Sequence, residues 1–200
     1  MIKTFLLIFR PAQTWEKIAR EQRGIFFVLF VFLFPLMAVS SAGEIYGLAH
    51  WGKHYRELGE SNTLPLATAA DYVALQFLLS LLVLFCDAFV LKALGETFHS
   101  RHNYSRAVTT LAYSLGPLFL IRLLHVIPLL HWWMVWLVGI LVTLAVLYYG
   151  LVRVMQPDPT HALGLYFMTA VLLVVTTFLA QLIASLALKS KLVVFAPLFR

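Results

Sequence analysis

Two ionisable side chains sit where an apolar chain has least reason to place them. Asp87 interrupts the run Leu81 to Leu91, and Arg122 interrupts the run Leu118 to Leu124. A charge held within hydrocarbon is costly, so each implies a partner, a water-filled path or a functional site. Helical rise puts Asp87 about 10 Å and Arg122 about 22 Å from the same membrane face. One side chain does not bridge that gap comfortably, so two separate polar layers are expected.

The inner layer groups Asp87 with Tyr113, Ser114, Tyr148, Tyr149 and Thr169, with Arg153 reaching up from the boundary. Tyrosine hydroxyls donate, and the carbonyl of Tyr113, freed from its helical bond by Pro117, accepts. Such a group could handle protons or lipid headgroups. It could equally be a structural hydrogen-bond cluster, which is the reading preferred here. The outer layer groups Arg122 with Glu44, Gln76, Asp71 and Gln181, and His125 and His131 lie near the same surface. Arg122 either snorkels to the outer headgroups or pairs with Glu44.

Other chemistry is thinly supported. His50 and His54 have i, i+4 spacing followed by Glu57, and Glu96, His99 and His102 form a second set. Neither completes a metal signature, so no metal and no cofactor is expected. Ser114 and His125 stand 11 residues apart on one helix, about 16 Å along its axis, too far for a nucleophile and its base. With no phosphate loop, His-Glu-x-x-His or Gly-x-Ser-x-Gly motif, a non-enzymatic role is expected.

The elements that must position these residues follow from composition. Of 200 residues, 62% are hydrophobic and 12% charged, and mean hydropathy is +0.88. No soluble core of this length hides so much apolar surface. Five stretches have the roughly 20 apolar residues of a spanning helix. They are Ile25 to Ala49, Tyr72 to Leu94, Ala107 to Leu130, Trp132 to Met155, and Ala162 to Leu188. The expected fold is all-α, a polytopic transmembrane bundle of about five spans with a short N-terminal interfacial helix. Residues 1–24 form the N-terminal segment, 25–188 the membrane domain, and 189–200 the tail. The apolar run Phe5 to Phe9 is too short for a signal-peptide core and is expected to be retained. Cys86, the single cysteine, reads as a small packing residue.

The net charge of +6 does not indicate nucleic acid, because the basic residues flank apolar stretches. Lys3, Arg10, Lys17, Arg20, Arg23, Lys92, Arg101, Arg106 and Arg153 fall on one side. Lys53, Arg56, Lys189, Lys191 and Arg200 fall on the other. The richer side, with the N-terminus, is expected in the cytoplasm. Pro11 to Gly24 predicts a short helix with Pro11 at its first position and Trp15, Ile18, Ala19 and Gln22 on one face. Trp15, Lys17, Arg20 and Arg23 are its expected membrane-interface anchors.

Three stretches in order resemble the Yip (Ypt-interacting protein) family of five-span membrane proteins. They are Pro11-Ala-Gln-Thr-Trp15-Glu-Lys-Ile18; Leu94-Gly95-Glu96-Thr97-Phe98 followed by Ala112-Tyr113-Ser114-Leu115-Gly116-Pro117; and Tyr149-Gly150-Leu151 with Met155 and the turn Gln156 to Ala162. The resemblance implies a five-span bundle with a cytoplasmic N-terminus and supplies no catalytic residue. Relatives in eukaryotes are associated with Rab-type GTPases. This chain lacks their long N-terminal region, which argues against that partner and for a compact bacterial-type member of the cytoplasmic membrane. The function expected is that of a membrane organiser or adaptor whose partners are membrane lipids and membrane proteins or a second copy. The alternative is a small transporter, channel or lipid-moving protein built around Asp87.

Overall fold

The computed structural model describes residues 2–21, 23–51, 64–98, 100, 103–127, 130 and 132–195, and every regular element among them is helical. Among the described residues there are eight α-helices: α1 (Ile2–Phe9), α2 (Pro11–Glu21), α3 (Ile25–Phe27), α4 (Phe34–Trp51), α5 (Leu66–Thr97), α6 (Tyr104–Arg122), α7 (Trp132–Gly150) and α8 (Ala162–Phe195). Five segments among the described residues are long and apolar enough to cross a membrane: Ile25–His50, Leu66–Thr97, Tyr104–Val126, Trp133–Met155 and Ala162–Leu188. In hydrocarbon each backbone group must bond within its own segment, and helices meet that demand.

Departures from regular helix have local causes. A π-helical turn, Val28–Leu33, joins α3 to α4 just before Pro35, whose ring and missing N–H already break the α ladder. A second, Leu151–Met155, extends α7 and stops where Gln156 turns left-handed, at φ 47°, and donates its N–H back to the Leu151 carbonyl. Pro117 is accommodated inside α6, which ends in a 3-10 turn, Leu123–Val126. Asn103 caps the start of α6 by accepting from the Ser105 N–H at 3.0 Å.

The third span is the centre of the bundle. Two-thirds of its most apolar window (67%) is buried, against 17% for the last span. α6 packs along α7, and α8 packs chiefly along α5. The main core joins Leu33, Leu36, Leu84, Leu91, Leu111, Leu147 and Leu151, and a second small core of Leu48, Leu64, Tyr72, Val73, Ala184 and Leu188 sits elsewhere. The end of the bundle carrying α1, α2 and the start of α6 is called the near end below, and the opposite end the far end.

Several boundaries differ from the sequence expectation, those of α5 and α8 most clearly. α5 begins at Leu66 and reaches Thr97, outside the expected Tyr72 to Leu94 at both ends. α8 continues to Phe195, so the segment expected as a tail from residue 189 begins as helix. Apolar length marks only what hydrocarbon needs, and a helix with good formers continues beyond it.

Candidate functional site

The N-terminus is a helical hairpin seated in the near end of the bundle. Pro11 is the first residue of α2, as its fixed φ favours. Trp15 and Ile18 face inward, while Gln13, Glu16, Lys17 and Arg20 face outward. Trp15 is fully buried and donates its indole N–H to the Val146 carbonyl at 3.0 Å. Its ring meets Tyr113 edge-on, with centroids 6.1 Å apart. Gly150 makes this approach feasible, since a Cβ there would lie 2.6 Å from the indole.

Trp15 is therefore no lipid-facing anchor, which corrects the sequence expectation. An indole one turn from Ile18 can turn toward lipid or toward protein, and the gap over Gly150 decides for protein. The exposed apolar groups of the hairpin are on α1, which sequence reasoning did not read as an element. Phe5, Leu6 and Phe9 are exposed there, while Thr4 and Leu7 are buried against the bundle. The i, i+3 spacing of Thr4 and Leu7 is the signal that could have found this helix. Lys3 ties the hairpin together through Glu21 at 2.9 Å, and Glu21 also holds Arg23 at 2.8 Å. The hydrogen bond from Lys3 keeps the Glu21 carboxyl below its ordinary pKa, with further help from the Arg23 and Lys17 charges.

Asp87 is buried at the interface of α5 and α8. Its Oδ2 lies 2.8 Å from the Thr176 hydroxyl. That hydroxyl also lies 2.9 Å from the Leu172 carbonyl, and one O–H serves one acceptor well at a time. The inner layer does not assemble as expected. Tyr113 packs on Phe32 and Trp15, and Lys3 lies over its ring. Ser114 is fully buried, with no hydrogen-bond partner for its hydroxyl among the described residues. Tyr148 meets Tyr149 and Tyr166 edge-on, and Arg153 lies over Tyr149 and 3.6 Å from Glu16. Thr169 bonds its own helix at Leu165. Equal depth did not bring these residues together, because depth leaves rotation about each helix axis undetermined. Asp87 faces α8, and Tyr113 faces the hairpin. Thr176 was missed because a threonine within a span ordinarily bonds back to its own helix.

Of the residues grouped in the outer layer, Glu44 is the one bonded to Arg122. Arg122 Nε donates to Glu44 Oε2 at 2.7 Å, and Nη2 lies 2.7 Å from the same oxygen. His125 Nδ1 stands 3.8 Å from the other carboxylate oxygen. Glu44 and Gly47 share one face of α4, as Arg122 and His125 share a face opposite. A Cβ at Gly47 would fall 2.6 Å from the His125 carbonyl oxygen, so glycine there lets the two segments meet. Gln76 donates to Gln181 at 3.0 Å and to the Tyr72 hydroxyl at 2.6 Å, joining α5 to α8 a second time. A cavity of about 60 Å³ lies between α5, α6, α7 and α8, with Gln76, Arg122, His125 and Gln181 on its wall.

The histidine sets are not placed: His54, Glu57, His99, His102 and His131 lie outside the described residues. His50 stacks on Tyr46. Among the described residues no cluster of three metal-ligating side chains occurs.

At the near end, a recess of about 220 Å³ is lined by Arg23, Arg106 and Arg153, together with Asn103, Ser105 and Gln156. Arg106 was counted from sequence only as an orienting charge.

No curated protein and no solved structure matches the chain. The family model of the Yip1 domain matches residues 5–184, which takes in the hairpin from α1 onward and all five apolar helices. The chain is an integral membrane protein that belongs to the Yip1 domain family.

Proposed function

We propose that this protein is a non-enzymatic membrane organiser or adaptor, acting through lipid and protein contacts with its near end in the cytoplasm. The supporting observation is the pinned hairpin. Trp15 fixes α2 to the bundle, and Gln13, Glu16, Lys17 and Arg20 are held outward as a preformed polar face. A partner docking there does not have to order a loose segment first, which removes part of the entropic cost of binding. The excess of Lys and Arg on this side supports its cytoplasmic orientation.

The alternative, a pathway for protons or lipid through Asp87, has less support. Asp87 is closed between two helices and lines neither of the two cavities described. The interior cavity lies beside Arg122 instead and holds a few water molecules at most.

A photo-crosslinking residue at Lys17 or Arg20, in native membranes, tests the adaptor reading. Discrete protein adducts are expected there and not from Phe167, an exposed apolar position on α8. Reporter fusions are expected to place the N-terminus inside and the C-terminus outside. Proton or lipid flux in liposomes that Asp87→Asn abolishes would overturn the adaptor reading.

A further inference from the structure

The near-end recess brings three arginines from three elements of the chain into one concavity. Arg23 precedes the first span, Arg106 lies in the first turn of α6, and Arg153 belongs to the π-helical turn after α7. Among the described residues no acidic side chain lines it. The carboxylates bonded to its arginines are Glu21, already shared between Lys3 and Arg23, and Glu16, 3.6 Å from Arg153 and largely exposed. Arg106 has no ion-pair partner among the described residues. Four cations, counting Lys3, thus face two carboxylates. The N-terminus of α6, a helix of 19 residues, adds its positive end to the same space.

The recess also borders an exposed apolar surface. The Arg23 guanidinium lies 4.1 Å from the centroid of the Phe27 ring, and Phe26, Phe27 and Phe30 are exposed along the start of the first span. An anion seated among the arginines has apolar side chains beside it that suit acyl chains. Guanidinium forks match phosphate oxygens bidentately, and Asn103, Ser105 and Gln156 supply neutral polar groups around them.

We propose that Arg23, Arg106 and Arg153 form a binding site for the phosphate of an anionic membrane lipid, with Arg106 as its uncommitted charge. The inference deepens the lipid-contact part of the function proposed above. Its test needs neither a protein partner nor flux, so the two can fail separately.

The full-length protein is reconstituted in nanodiscs of phosphatidylcholine with and without phosphatidylglycerol, and retained lipid is counted by native mass spectrometry. Preferential retention of phosphatidylglycerol is expected. It should fall about fivefold in Arg106→Gln and be largely kept in Arg106→Lys. Lys92→Gln removes a basic residue of α5 outside the recess and should match the unmodified protein. Equal retention of both lipids, or equal losses in Arg106→Gln and Lys92→Gln, would overturn the site. If glycerol 3-phosphate bound in phosphatidylcholine discs as tightly as phosphatidylglycerol is retained, a soluble phosphate would be the ligand and the lipid assignment would fail. Loss of binding in Arg106→Lys as complete as in Arg106→Gln, with an unchanged melting temperature, would overturn the role of Arg106 as the uncommitted charge of the site.

Discussion

The indole nitrogen of Trp15 and the carbonyl oxygen of Val146 are 3.0 Å apart across 131 residues of sequence. That contact, with the close approach of Gly150, fixes the N-terminal hairpin to the fourth span. Trp15→Ala is expected to cost ~3–5 kcal/mol, the range for truncating a buried aromatic. Gly150→Ala should cost ~1–3 kcal/mol, because its new Cβ meets the ring. Denaturation of both variants in detergent checks the sizes. A variant keeping Trp15 as its sole tryptophan should show emission insensitive to brominated lipid; strong quenching would mean the hairpin leaves the bundle.

The Glu44–Arg122 pair gives a second expectation. Glu44 is almost fully buried and Arg122 largely so. Removing one partner from a buried pair costs ~3–5 kcal/mol, because the other charge is left uncompensated. Arg122→Gln and Glu44→Gln should each destabilise strongly, and the double variant should lose much less than the sum. Strict additivity in that cycle would show the two side chains to be uncoupled. Gly47→Ala should weaken the same region by ~1–3 kcal/mol through its clash with the His125 carbonyl.

At Asp87, an amide can do the carboxylate's structural work. Asp87→Asn is expected to change stability by less than ~1 kcal/mol, since the amide can accept from Thr176 or donate to it. Asp87→Leu removes the contact and places a branched side chain against α8. It should melt lower than Asp87→Asn. Identical melting curves for the two variants would show that the Thr176 contact contributes nothing.

Acid should loosen the hairpin before the bundle. The Glu21 carboxyl titrates below its ordinary value because Lys3 bonds it. Its contribution is therefore present above the ordinary glutamate range and lost as pH falls through the lowered folded value. Hydrogen exchange in residues 2–9 should accelerate in that acidic window, and Lys3→Gln should show fast exchange already at neutral pH. Exchange unchanged on acidification would remove Glu21 from this role.

The five spans were legible because hydrophobic length is a one-dimensional property. Helical rise likewise converts sequence position into an expected depth, and Asp87 and Arg122 bond different partners, Thr176 and Glu44. Rotation was not legible. The spans are apolar on nearly every side, so no amphipathic stripe says which way Asp87 or Tyr113 points. Glu44 was one of two expectations for Arg122, beside snorkelling to the outer headgroups, because a buried cation has few acids at its depth. Thr176 could not be named for Asp87 because any polar side chain at that height was a candidate. The eight residues of α1 carry only a weak signal, the spacing of Thr4 and Leu7, for another reason. A helix so short is unstable alone and exists by virtue of the groove that holds it.

The two polar links between α5 and α8 have a consequence for how the last span finds its place. Lipid tails are as apolar as leucine, so burying leucine gives α8 little preference for one rotation or one height. Gln181 on Gln76 and Thr176 on Asp87 lie at different heights of the same seam. Together they act as two pins in a lock. A slide of α8 by one turn, about 5.4 Å, breaks both contacts at once, and a rotation turns both away. The least enclosed helix of the bundle can therefore hold a single register with few tight contacts along most of its surface.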